Sequence, residues 1–170
     1  MTTLTQPLRD EHRELFPEVE GILAAAELVG RASMDEVRLA VDKAYKFLAY
    51  GLLPHAQAED AALYPVVQKV LGSPEATRTM SRDHTEVGRY IDELAALRTG
   101  LSGESLTISQ IAELRRVLYG LYAIVKLHFA KEEEVYLPIL DQRLTPESAQ
   151  EMFEQMETAA HKAKHALHAA

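Results

Sequence analysis

His55-Ala56-Gln57-Ala58-Glu59 and His128-Phe129-Ala130-Lys131-Glu132 are two copies of one pattern, a histidine followed four residues later by a glutamate. Each copy is preceded, at nearly equal separation, by another histidine, His12 and His84. In an α-helix, residues four apart project from one face with Cβ atoms about 6 Å apart. Each pair therefore presents a nitrogen and an oxygen to a single volume. Apolar residues surround all four histidines in steps of three, four and seven. Leu8, Leu15, Phe16 and Val19 flank His12, and Leu48, Leu52, Ala62 and Val66 flank His55. Met80, Val87, Ile91 and Ala95 flank His84, and Leu121, Ile124, Val125 and Val135 flank His128. Such steps share one helix face, so every member of the repeat sits in an apolar stripe.

Punctuation divides the chain into four long helices and a shorter fifth. The first runs from about Leu8 to Val29 and stops at Gly30. Ser33-Met34-Asp35-Glu36 reads as a capping box opening a second helix that continues to about Val70 and ends at Gly72. Ser73-Pro74-Glu75 predicts the start of a third, with Ser as cap and Pro in the first turn, and Gly100 closes it. The fourth spans about Leu106 to Leu140. Thr145-Pro146-Glu147 opens the fifth, reaching about Leu167. Short connections between four amphipathic helices imply an all-α, antiparallel up-down-up-down bundle. The expected division is 1–143 for the bundle and 144–170 for a C-terminal helical extension packed on it. Pro54, immediately before His55, predicts a kink that swings this histidine toward the bundle axis.

Composition narrows the function. A chain of 170 residues with a formal net charge of −8 argues against nucleic acid or an anionic membrane as partner. There is no cysteine, which excludes disulfides, thiolate metal sites and cysteine nucleophiles. No apolar stretch approaches membrane-spanning length. Met1 to Gln6 shows no basic region followed by an apolar run, so a cytoplasmic protein is expected.

Two carboxylates on buried faces are costly unless positive charge meets them. Together with four imidazoles they ask for metal ions. One ion would be crowded by four nitrogens and up to four oxygens. Two ions bridged by the carboxylates use the whole set and leave positions for a small ligand. Mixed imidazole and carboxylate ligation without sulfur suits iron first and manganese second. The expected ligands are His12, His55, Glu59, His84, His128 and Glu132.

Asp10-Glu11-His12, His55 to Glu59 with Leu63-Tyr64-Pro65, Asp83-His84, and His128 to Glu132 with Leu137-Pro138 resemble the hemerythrin-like (HHE cation-binding) family. The resemblance covers about Leu8 to Leu140. It implies a four-helix bundle around a non-haem di-iron centre, oxo- or hydroxo-bridged, with terminal histidines and bridging carboxylates. The chain departs from the oxygen-carrying hemerythrins in two places. A second histidine expected one turn after His84 is replaced by Gly88. The last carboxylate falls on Glu132, which matches the repeat, with Glu133 as its solvated neighbour.

The missing imidazole leaves a coordination position for water, substrate or a phenolate. Tyr50, beside the Pro54 kink, is the candidate, with Tyr122 as the alternate. The expected partners are small oxygen species: hydrogen peroxide, dioxygen or nitric oxide. Peroxide decomposition is the first reading, reversible dioxygen or nitric oxide binding the second, and iron storage the third. His161, His165 and His168 form a separate series read as solvated residues near a helix end. Met152, Phe153 and Met156 suggest a fifth helix that packs across the bundle or mediates a homodimer.

Overall fold

The capping box is present as read. Glu36 N–H donates to Ser33 Oγ, and the Ser33 N–H returns a bond of 2.9 Å to Glu36 Oε2. The computed structural model describes residues 3–169, with side chains for residues 3–166. Among them are five helices and no strand. We label them α1 (Gln6–Leu28), α2 (34–71), α3 (Arg78–Thr99), α4 (108–143) and α5 (Pro146–Ala169). Helix α1 packs on α2 and α4, and α3 packs on the same two, which closes the up-down bundle. Gly30 and Gly72 take positive φ of 73° and 67° at the ends of α1 and α2. That is left-handed backbone, where a Cβ would be penalised. Among the described residues no helix is long and apolar enough to cross a membrane.

Two expectations need correction. The first is the start of α3. Ser73-Pro74-Glu75 forms a turn instead, with Ala76 N–H donating to the Ser73 carbonyl. Tertiary bonds hold it there. Gln68 donates to the Thr77 hydroxyl at 2.7 Å, and the Tyr136 hydroxyl donates to the Ala76 carbonyl at 2.9 Å. The helix therefore begins only at Arg78.

The second is continuity. Helix α2 contains two wide π-helical turns, Leu48–Leu52 and Glu59–Leu63, and α4 contains one, Glu132–Tyr136. In each, the residue after the turn donates five residues back: Leu53 to Leu48, Tyr64 to Glu59 and Leu137 to Glu132. A proline follows at once in all three cases, Pro54, Pro65 and Pro138. Proline has no N–H for the carbonyl four residues back, and its ring collides with that carbonyl in a regular helix. One inserted residue relieves the collision and keeps the helix axis running. The disturbance expected at Pro54 thus takes the form of a wide turn before it.

The core has two parts. One buries Val19, Ile22, Val41, Leu48, Leu94, Leu118 and their neighbours. The other buries Leu8, Leu63, Tyr64, Met80, Leu137 and Leu140 with Met152 and Met156 of α5. Helix α5 lies against the Leu53–Ala58 and Glu59–Leu63 segments of α2. Along every one of α1 to α4 the repeat residues fall between the two cores.

Candidate metal centre

All six repeat residues converge. His12, His55, Glu59, His128 and Glu132 are buried, and His84 is nearly so. Glu59 and Glu132 have no exposed surface. Glu59 Oε1 lies 2.9 Å from His55 Nε2 and 3.6 Å from His12 Nε2. Its Oε2 lies 3.2 Å from His84 Nε2 and 3.8 Å from His128 Nε2. Glu132 repeats the division, with Oε2 3.4 Å from His12 Nε2 and Oε1 3.5 Å from His128 Nε2. One imidazole pair, His12 and His55, and a second, His84 and His128, thus share two carboxylates. Two donor triads result, His12–His55–Glu59 and Glu59–His84–His128, each with ligand atoms within 4.8 Å of one another.

The chemistry of the donor set fits metal ions. Buried polar atoms are normally satisfied. Here His12 Nε2, His55 Nε2, both Glu59 oxygens and Glu132 Oε2 have no hydrogen-bond partner, although charged neighbours lie close by. Five such atoms aimed into one volume are explained by cations at their centre. Without a cation, protons do the neutralising. Burial opposes charge on His55, but Glu59 and Glu11 outweigh it and push its pKa up to about 10. Burial likewise opposes charge on His128, and Asp83, Glu132 and Glu59 carry it up to about 11. His84 is shifted upward by Asp60 and Glu59 against the same desolvation. For Glu59, burial favours the neutral acid, yet the surrounding imidazoles hold it well below the usual carboxylate range. Metal ions would replace those protons.

A second ring of acids orients the histidines, and the sequence reading missed its role. His12 Nδ1 pairs with Glu133 at 2.9 Å, His55 Nδ1 with Glu11 at 3.0 Å, His84 Nδ1 with Asp60 at 2.8 Å and His128 Nδ1 with Asp83 at 3.1 Å. Each bond leaves Nε2 as the inward donor, the arrangement by which outer carboxylates fix a ligating imidazole. Further groups fix three of the acids. Arg9 donates to Glu133 at 2.5 Å, Ser81 to Asp60 at 2.6 Å, and Lys131 to Asp83. Glu133, read as a solvated neighbour, is therefore the partner of His12. The signal was in the sequence. An acid precedes the first histidine of each half (Glu11, Asp83), and an acid follows the glutamate (Asp60, Glu133).

Tyr50 is not brought to the centre. It is 48% exposed, and its ring meets Tyr45 edge-on at 6.3 Å. The alternate, Tyr122, donates from its hydroxyl to Glu20 at 3.2 Å and is not part of the cluster either. The tyrosine at the centre is Tyr64. Its hydroxyl donates to Glu132 Oε1 at 2.8 Å and lies 3.1 Å from His128 Nε2 and 3.4 Å from His84 Nε2. Burial and the two glutamates push its pKa upward. A bound cation would invert that effect, because the largest local charge then favours phenolate. At Gly88 an added Cβ would meet nothing within 4 Å, so the place of the missing imidazole is open. His161 and His165 are exposed and stack on each other at 6.2 Å. The side chain of His168 lies outside the described residues.

A profile described as the hemerythrin HHE cation binding domain matches residues 3–140. No curated protein and no solved structure matches the chain.

Proposed function

The chain belongs to the hemerythrin HHE cation-binding domain family, and from that premise we propose that it is a cytoplasmic non-haem di-iron protein that decomposes hydrogen peroxide. The proposed ligands are His12 and His55 for one ion, His84 and His128 for the other, and Glu59 and Glu132 shared by both. Iron fits this sulfur-free set, with manganese the less suitable alternative. The observation that carries the reading is the division of each buried carboxylate, one oxygen toward each imidazole pair. Two adjacent ions supply a two-electron couple and Lewis acidity.

Disproportionation oxidises one peroxide to dioxygen and reduces another to two waters, with two protons passing between them. The protein must hold and move those protons beside the ions. The Tyr64 hydroxyl, bonded to Glu132 Oε1, is our candidate to do so. The outer acids keep every Nε2 directed inward. Gly88 leaves the position one turn after His84 without a side chain.

Reversible dioxygen or nitric oxide binding is the alternative for this site. It relies on one open ion beside a full one, whereas here the imidazole count is equal on both sides. Iron-loaded protein mixed with excess hydrogen peroxide in an oxygen electrode separates the readings. Evolution of dioxygen over many turnovers per chain is expected. Stoichiometric consumption that stops after one equivalent would remove the enzymatic reading and leave the carrier.

A further inference from the structure

A continuous run of hydrogen bonds leads from the start of α1 through Asp141, Arg9 and Glu133 to His12. The Thr5 N–H donates to Asp141 Oδ1 at 2.8 Å. The Arg9 guanidinium donates from Nη2 to Asp141 Oδ2 at 3.3 Å and from Nη1 to Glu133 Oε2 at 2.5 Å. The other Glu133 oxygen, Oε1, holds His12 Nδ1 at 2.9 Å. Glu133 lies in the π-turn of α4, and Arg9 Nη1 reaches its backbone carbonyl as well, at 3.4 Å. The side chains of Arg9, Glu133 and Asp141 are 21%, 31% and 15% exposed. They are thus more sheltered than the open surface pairs whose attraction solvent and side-chain entropy cancel. The planar fork of arginine fixes both acids at once, which a single ammonium does not match.

The duplication reaches this outer layer. Thr5 and Arg9 precede His12 by seven and three residues, as Thr77 and Ser81 precede His84. Glu133 and Asp141 follow Glu132 by one and nine residues, as Asp60 and Gln68 follow Glu59. The equivalent residues are bonded as well. Ser81 donates to Asp60 at 2.6 Å, Asp60 holds His84 Nδ1 at 2.8 Å, and Gln68 donates to the Thr77 hydroxyl at 2.7 Å. Both places share an acid that orients a repeat histidine and a donor, three residues before that histidine, that fixes the acid. They differ in reach. Arginine spans Glu133 and Asp141, whereas serine bonds Asp60, and among the described residues no bond joins Ser81 to Gln68. The run is therefore complete only on the His12 side.

We propose, resting on the ligand assignment above, that Arg9 and Asp141 are positioning residues for His12, acting through Glu133. The ion at His12 and His55 depends on them, and the ion at His84 and His128 does not. Without Arg9, the partly exposed Glu133 carboxylate is free to turn to water. His12 Nδ1 then loses the acceptor that keeps Nε2 directed inward. Asp141 acts one step further out, by holding the second arm of the guanidinium.

The test loads the full chain with cobalt(II) and measures the affinity of each bound ion by chelator competition. Proton NMR of the loaded protein follows the exchangeable, paramagnetically shifted Nδ1–H signals of the ligating histidines. Arg9→Met should weaken one of the two ions about tenfold, the low end for loss of an outer group, and leave the other unchanged. One shifted Nδ1–H signal should exchange with water faster, and it should be the signal that Glu133→Ala removes. Arg9→Lys should restore part of the affinity, and Asp141→Asn should weaken the same ion several-fold. A role confined to fastening the helix end would instead lower the thermal midpoint of the metal-free protein and leave both affinities and every Nδ1–H signal as they were. Should Arg9→Met fail to fold, Asp141→Asn and Arg9→Lys carry the test. Ions that are unchanged, or weakened equally, in the variants that fold would overturn this proposal alone. Wild-type protein that binds no cobalt would overturn it together with the ligand assignment.

Discussion

The two halves of the repeat supply the same donors but not the same neighbours. Both carry an acid before the first histidine, a glutamate four residues after the second, and an acid after that glutamate. Both then enter a π-turn that ends at a proline. The halves differ one residue after the second histidine, where the first has Ala56 and the second Phe129. They differ again five residues after the glutamate, where the first has Tyr64 and the second Leu137. Each odd residue acts across the site. Tyr64 brings a hydroxyl to His84, His128 and Glu132 of the second half. Phe129 stacks on His12 and meets His55 edge-on at 6.0 Å. One imidazole pair therefore has a polar, proton-bearing flank and the other an aromatic one. On the proposed reading the repeated residues would hold two cations, and the unrepeated ones distinguish the two positions.

That comparison is broken most completely at a shared carboxylate. Glu59→Ala removes an oxygen from both positions at once. The iron content of this variant, by elemental analysis, should fall from two per chain to near zero, whereas His84→Ala should retain about one. Equal losses in the two variants would mean that Glu59 does not serve both positions.

Tyr64→Phe sharpens the polar side. The variant should keep both irons but turn over peroxide roughly 10²-fold more slowly, the low end for loss of a positioned proton donor. The metal-free variant should also lose about 1–3 kcal/mol of stability, because the buried Glu132 Oε1 loses its donor. Unchanged turnover would leave Tyr64 a packing residue.

The outer acids come next. Asp83→Asn and Glu11→Gln should each lower metal affinity about 10–100-fold, the usual effect of removing a group that orients a ligating histidine. Competition with a chelator measures it. Equal effects in the two halves would show the pseudo-symmetry to be energetic as well as geometric.

The metal-free protein adds a comparison by pH. His55 and His128 hold their protons more tightly when folded, so between about 6.5 and 10–11 the folded state carries more protons than the unfolded one. Stability contributed by these groups is fully present below their unfolded pKa and is lost as pH rises through the folded values. The urea midpoint of the metal-free protein should fall from pH 8 to pH 11, while that of the loaded protein should stay flat over the same interval. A fall of the same size in both would exclude these imidazoles as the source.

The helices and the convergence of the six repeat residues were legible because both rest on a period of 3.6 residues. His-x-x-x-Glu on an apolar face has few meanings, and its duplication excludes most of them. Tyr64 was hidden for the same reason. Counted on a regular helix, the fifth residue after Glu59 faces about 140° away from it. The π-turn widens that interval to one full turn and carries Tyr64 back over Glu59. Leu137 reaches the corresponding place after Glu132 and is fully buried. Tyr50 looked favourable by its nearness to His55 along the chain, yet it sits inside a π-turn and faces solvent. Three Pro residues in matching context were the available signal, but their effect on backbone geometry is not a periodicity. The delayed start of α3 was hidden because the bonds from Gln68 and Tyr136 are tertiary.

Anomalous scattering at the iron edge, from crystals of protein purified without chelators out of iron-replete cells, tests the sharing of two carboxylates most directly. The account predicts two peaks roughly 3.5–4 Å apart, one beside His12 and His55 and the other beside His84 and His128, with Glu59 and Glu132 between them. A single peak, or none, would contradict it.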